Sequence, residues 1–228
     1  TVGKGPARVP PMGLKPEQLL SLPLCPLGTQ VTGEDIAIVE RIRQNSIPLG
    51  ELALVDTGVV AHMPGGSRED LLFSEPGVNR VPYADAKEFF AGVHRWLLYA
   101  PERMHRAKSR KMFENPKIVI QRIRGRQTLK AAVDRSGVFL GHTCTIVQPH
   151  DKKMDLEALL FLIQSPYMDA IMKIERGPSL DLYPREVANF PIPKRWLDNP
   201  KLAFDVSLSL CGDERGSLER WFPVGFDS

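Results

Sequence analysis

Apolar positions change period several times along this chain, and each change marks an element. In GEDIAIVERIRQN, which begins at Gly33, Ile36, Val39 and Ile42 fall at helical spacing. Thr32 or Gly33 stands ahead of the acidic Glu34 and Asp35, with Arg41 and Arg43 at the far end, which predicts a capped amphipathic helix. ELALVDTGVV, residues 51–60, predicts a strand, and AHMPGGSRED after it a turn-rich loop carrying His62, Ser67 and Arg68. A short helix near 85–91 and a strand at 94–100 follow, then a base-rich stretch bracketed by Pro101 and Pro116. PKIVIQRI, residues 116–123, is the strongest strand pattern in the chain. Beyond the loop RGRQTLK, short strands at 131–134, 137–140 and 142–148 are spaced closely enough for a meander.

Two helical pieces come next, 155–164 and 166–175, with Pro166 at a first helical position that tolerates it. Their Leu, Ile and Phe spacing is that of core helices. LYPREVANFPIPKRWLDNP reads as proline-rich and irregular, and prolines at 6, 10, 11, 16, 23 and 26 make the first thirty residues an arm rather than a helix. Short strands with helices mostly after them predict an α+β fold, a mixed sheet with a C-terminal pair of helices. The expected division is an arm at 1–32, one domain at 33–195 and an extension at 196–228. The start at Thr1, without Met or a signal-peptide pattern, reads as a cut in a longer protein.

Composition narrows the class. With 43% hydrophobic and 25% charged residues the chain reads as globular, and ALLFLI at 158–163 falls far short of the roughly 20 apolar residues of a membrane span. Cys25, Cys144 and Cys211 are far apart and odd in number, as in a reducing, cytoplasmic compartment. Charge is uneven: between Arg95 and Lys130 stand eleven Lys or Arg against two acids, a net +9 in a chain of net +3, so the remainder carries −6. A basic region on an acidic remainder is the footprint of a polyanion binder.

Catalytic signatures are missing from the sequence. It holds no GxxxxGK[ST], GxSxG, HExxH or strand-linked GxGxxG. An adenine methyltransferase would show [DNS]PP[YF], and ENPK at 114–117 and DNPK at 198–201 lack the second proline and the aromatic. Asp85 and Lys87 make a lone DxK, and histidines 62, 94, 105, 142 and 150 have no ligand spacing. No catalytic residue, metal or cofactor is therefore assigned to this chain. Asp134 ahead of Gly137 reads as a turn former, and Trp96, Tyr99, Tyr167 and Trp196 as packing aromatics.

Four stretches, in order, carry a resemblance: GELALVDTGV at 50–59; VNRVPYADAKEFF with HRWLLYAP; FENPKIVIQRIRGRQTLKAAVDRSGVFLGHTCTIV at 113–147; and LEALLFLIQSPYMDAIMK with ANFPIP. Together they resemble the TaqI-like C-terminal specificity domain of N6-adenine DNA methyltransferases and type IIG restriction-modification enzymes, over residues 48–195. The third stretch matches at Pro116, Lys117, Arg122, Asp134 and Gly137. Gln164 stands where the family often has Asn, and ADAKEF replaces its usual "grdi". The resemblance implies a target-recognition domain for double-stranded DNA beside a methyltransferase domain that would bind S-adenosylmethionine elsewhere in the parent chain.

Within that reading, Arg103, Arg106, Lys108, Arg110 and Lys111 are the phosphate-contacting candidates. Base readers are sought on loops: His62, Ser67 and Arg68 in one, Arg124, Arg126, Gln127 and Lys130 in another. Arg122 completes the set; it lies five residues from Lys117, which puts the two on opposite faces of a regular strand. A separate specificity subunit, an RNA-binding module, a small nuclease and a plain interaction domain are the alternatives.

Overall fold

The computed structural model describes residues 32–63, 65–67, 70–123, 129–176 and 181–199. In chain order they form α1 (Gly33–Gln44), β1 (Ser46–Pro48), α2 (Leu49–Leu52), β2 (Ala53–Thr57), β3 (Leu72–Phe73), β4 (Arg80–Ala84), α3 (Ala86–Phe90), β5 (Arg95–Leu98) and α4 (Lys111–Glu114). Then come β6 (Lys117–Gln121), β7 (Ala131–Asp134), β8 (Phe139–Leu140), β9 (Cys144–Pro149), α5 (Leu156–Ile163), α6 (Pro166–Arg176), α7 (Pro184–Ala188), β10 (Pro191–Pro193) and α8 (Lys194–Asp198). The fold is α+β with small sheets, one of them mixed, as the sequence pattern predicts.

Two compact units divide the chain. The described parts of the first, within 1–46, 165–179 and 193–228, are helical. Thr32 caps α1: its hydroxyl accepts from the Asp35 N–H at 3.2 Å and the Asp35 carboxylate accepts from the Thr32 N–H at 2.8 Å, so two otherwise unpaired donors are satisfied reciprocally. Ile36 and Val39 are buried and pack with Ile174 of α6. Arg43 Nη2 meets the buried Glu175 at 2.5 Å; burial pushes the Glu175 carboxyl up, with Arg43 opposing the shift.

The second unit, 47–164 with 180–192, holds two four-stranded sheets. One has the order β2-β9-β6-β7 and is antiparallel throughout. The other, β3-β5-β4-β8, pairs β4 with β8 in parallel. β1 and β10 make a two-stranded sheet. Val119 and Ile146 of the first sheet join Val81, Tyr83, Leu97 and Phe139 of the second in one apolar cluster. Ile118 and Ile120 are also fully buried, and α5 packs on β6 and β7. Burial on both faces is why β6 reads as a nearly unbroken apolar run.

Three expectations change. The anticipated meander is broken, because β8 leaves β7 and pairs with Tyr83 and Ala84. Gly137, at φ +78°, turns the chain there in a conformation that favours glycine. The strand drawn at 51–60 is shorter, since Leu49–Leu52 is a helical turn and pairing with β9 covers Ala53 to Thr57. The proline-rich segment is not irregular: Pro184 sits in the first turn of α7, where no N–H is needed. Glu186 caps that turn by accepting from the Tyr183 N–H at 2.6 Å.

Lys117 and Asp134 face each other across β6 and β7, and both are buried. Lys117 Nζ donates to Asp134 Oδ2 and to the Phe113 carbonyl, each at 2.5 Å. Asp134 Oδ1 accepts from the Ser136 N–H at 2.9 Å and hydroxyl at 2.6 Å, so the residue forms the expected turn and also neutralises a buried lysine. Tyr167 and Trp196 are buried and Tyr99 is half-buried, consistent with packing roles.

Cys144 is a buried free thiol whose burial pushes its pKa up to about 12. Its modification by a thiol reagent at pH 8 should therefore be roughly a thousandfold slower in native protein than in denaturant. Peptide mass spectrometry at Cys144 reads this, and equal rates would contradict the burial.

Candidate nucleic-acid interface

β2 and β6 are both antiparallel to β9, so they run in the same direction. Their C-terminal ends, Thr57 and Gln121, therefore open at one end of the sheet, separated by the single strand β9 and hence by about 10 Å. The loop after β2 and the loop after β6, where the sequence placed its base readers, leave from this common end. The turn 141–143 and the start of α3 join them: the Gly141 N–H donates to the Ala84 carbonyl at 3.0 Å, and the Ala86 N–H to Thr143 Oγ1 at 2.9 Å.

The base-rich stretch is tied to the first loop. Val60 pairs with Arg106 as an antiparallel bridge, and the His105 N–H donates to the His62 carbonyl at 2.8 Å. His62 and Arg106 are thereby neighbours along two hydrogen-bonded segments, although 44 positions separate them in sequence. Ser67, Arg103, Arg106 and Lys111 are exposed. Arg103, Arg106 and Lys111 take part in no ion pair among the described residues, which leaves their charge available to an external anion.

Several other cations are already engaged. Lys108 Nζ is held by Asp56 at 2.5 Å, and its carbonyl accepts from the Tyr99 hydroxyl. Arg110 pairs with Glu114 at 3.0 Å, and its guanidinium lies 5.5 Å from the Tyr99 ring centroid. Arg122, just beyond β6 and half-buried, lies 4.8 Å over the Tyr183 ring and 3.9 Å from Asp181, with Nη1 donating to the His142 carbonyl at 3.4 Å. Lys130 is exposed, its ammonium 4.8 Å over the Phe90 ring. Arg68, Arg124, Arg126 and Gln127 lie outside the described residues.

Beside the second loop's base is a cavity of about 450 Å³ lined by Asp85, Glu88, Arg95, Gln121, Ile123 and Thr143. The sequence pattern offered no reason to single out this group, because its members come from α3, β5, β6 and the 141–143 turn. A larger cavity, about 580 Å³, lies at the opposite end of the sheet, with Leu54, Pro116 and Gln148 in its wall, away from the two loops. Among the described residues, no three or more His, Cys, Asp or Glu side chains gather as a metal site. No helix of the described residues is long and apolar enough to cross a membrane.

Compared with known proteins, residues 85–192 match the family model described as the TaqI-like C-terminal specificity domain. No curated protein matches the chain. Among solved structures, an HsdS subunit from Thermoanaerobacter tengcongensis is 15% identical over 82% of this chain and 48% of its own, with a TM-score of 0.40. The type IIL restriction-modification enzyme MmeI, solved in complex with DNA, is 10% identical over 76% of this chain and 32% of its own, TM-score 0.47. The type IIG restriction endonuclease BpuSI is 12% identical over 83% of this chain and 32% of its own, TM-score 0.47. The chain thus spans a third to a half of the length of these proteins.

Proposed function

We infer, for a chain that carries a TaqI-like C-terminal specificity domain at residues 85–192, that it reads a short target sequence in double-stranded DNA for a restriction-modification enzyme. The observation that supports this best is where the family match falls. It takes in the loop after β6 and the turn 141–143 at the loop end of the sheet, Arg106, which bridges Val60 of the first loop, and the exposed Arg103 and Lys111 of the same base-rich stretch. In this reading Arg103, Arg106 and Lys111 hold phosphates and set the register on the duplex, while His62, Ser67 and the loop after β6 face base edges. Lys108 acts inward, fastening the base-rich stretch to β2 through Asp56.

The parent protein, on this proposal, is an intracellular adenine-specific DNA methyltransferase. Its S-adenosylmethionine and its catalysis belong to a separate domain, and this chain contributes recognition alone. A separate specificity subunit serving a methyltransferase chain would use the same surface. The two parents differ in whether methylation requires a second polypeptide.

Selection from randomised duplex DNA by the chain, at low and moderate salt, tests the reading. One enriched short motif is expected. Replacing Arg106 or Lys111 by Ala should weaken binding uniformly across sequences and reduce the slope of log K against log salt by about one each, leaving the motif unchanged. Salt-sensitive retention without a motif would reduce the chain to a generic DNA binder. No retention at low salt would sink the proposal.

A further inference from the structure

Arg95 stands at the start of β5 in the wall of the 450 Å³ cavity, and nothing in its sequence surroundings marks it. Glu88 takes it side-on: Nε lies 2.8 Å from Glu88 Oε1, and Nη2 donates to Oε2 at 3.1 Å. Nη2 also donates to Asp85 Oδ2 at 3.4 Å, and the guanidinium lies 5.7 Å from the Tyr83 ring centroid. The carboxylates are themselves fixed. Glu88 Oε2 accepts from the Asp85 N–H at 2.9 Å, and Asp85 Oδ1 accepts from the hydroxyls of Tyr83 at 3.2 Å and Thr143 at 3.1 Å. Nη1 has no partner among the described residues, and the side chain is 33% exposed.

We propose that Arg95 reads one guanine of the DNA target, its outer N–H edge donating to O6 and N7 in place of the long contact to Asp85 while Glu88 holds the guanidinium. This rests on the reading of the chain as a DNA-recognition domain and names one contact within it. Three features converge. The ion pair with Glu88 fixes the guanidinium plane, and exchanging the long 3.4 Å contact of Nη2 with Asp85 for a base edge would present Nη1 and Nη2 together, the geometry that guanine's two major-groove acceptors require. Because the arginine is already ordered, less side-chain entropy is lost on binding. Two carboxylates beside it repel a fully charged phosphate more strongly than an uncharged base edge, so the group suits base reading better than backbone contact. The cavity opens at the same sheet end as both loops, and Thr143 and Asp85 tie it to the 141–143 turn.

Randomised-duplex selection with wild type, Arg95→Gln and Arg95→Lys, followed by binding to the selected duplex carrying 7-deazaguanine at each guanine in turn, tests this. The wild-type motif should contain a guanine whose preference both variants flatten at that one position, because lysine keeps the charge but loses the fork. At that position 7-deazaguanine should weaken wild-type binding roughly 5- to 150-fold and leave the variants unaffected. Glu88→Gln should reduce the same preference partially. A loss spread evenly over the motif by folded variants, an unchanged motif, or a wild-type motif without guanine overturns the inference while the recognition reading stands. Should the variants fail to fold, wild-type indifference to 7-deazaguanine at every position overturns it equally. A wild-type chain that enriches no motif removes both.

Discussion

Lys117→Met is expected to destabilise the second unit by about 3–5 kcal/mol, the usual cost of leaving a buried partner charge unmatched. Removing the ammonium strands Asp134 Oδ2 and the Phe113 carbonyl in a site closed to water on every side. Asp134→Ala should cost as much, by stranding the ammonium instead. The double variant Lys117→Met/Asp134→Leu should recover most of the loss, since apolar residues of similar size fill such a site without an ionic desolvation penalty. Urea melts of the three variants give the coupling energy directly. Additive losses would show that the pair does not act as a unit.

The same pair gives a pH signature. Burial lowers the Lys117 pKa below its ordinary value of 10.5, with Asp134 opposing the shift. Between the lowered folded value and the unfolded one, the unfolded chain therefore binds more protons at this site than the folded chain. Stability from this group rises with pH across that window and is weakest below it. Comparing stability from pH 8 to 10 in wild type and the double variant isolates it. A wild-type curve that falls relative to the double variant would reverse the sign and show that burial does not lower the Lys117 pKa.

These two residues also show how far the sequence could be read. Lys117 and Asp134 are both visible in the resemblance, but only the register of β6 against β7 makes them partners. The opposite-face expectation for Lys117 and Arg122 gave way to a different reason for their divergence: β6 ends at Gln121, and Arg122 turns toward Tyr183 and Asp181. Local signals served well where the cause was local, as at the cap of α1 and the doubly buried β6. The placement of β8 depends on a pairing more than fifty residues distant and left no periodicity to detect.

Charge followed the same rule. The excess of bases from 95 to 130 is real, yet Asp56, Asp85, Glu88, Asp134 and Asp181, all outside the segment, neutralise Lys108, Arg95, Lys117 and Arg122. A linear count therefore overstates the surface field. Arg103, Arg106 and Lys111 keep theirs among the described residues, and Arg95 becomes a candidate only once β5 is seen beside Glu88 of α3 and Asp85 at its cap.

Gly58→Ala carries the other large expected effect, because it acts on the point where the first loop leaves β2. Gly58 donates its N–H to the Cys144 carbonyl at 3.3 Å, and Val59 next to it donates to the Leu140 carbonyl at 2.8 Å and bridges Gly141. A Cβ at Gly58 would fall on the backbone carbonyls of Leu140 and Gly141. No side-chain rotation relieves such an overlap, so either β2 or the 140–141 segment must move. Overpacking typically costs about 1–3 kcal/mol, and with backbone on both sides the loss should reach the upper part of that range or more. Because 140–141 also pairs with Ala84 and leads into the turn beside Asp85, the displacement should reach both the first loop and the Arg95 cavity. Gly58→Ala should therefore weaken motif selection at several positions together, where Arg95→Gln affects one. Alanine at Gly65, which has open space around it but a φ of +80°, is the strain-only control. It should cost only about 1–2 kcal/mol and leave the sheet end in place. Equal melting temperatures and motifs for wild type and Gly58→Ala would show that the β2 exit tolerates a side chain and that the two loops are not held by this crossing.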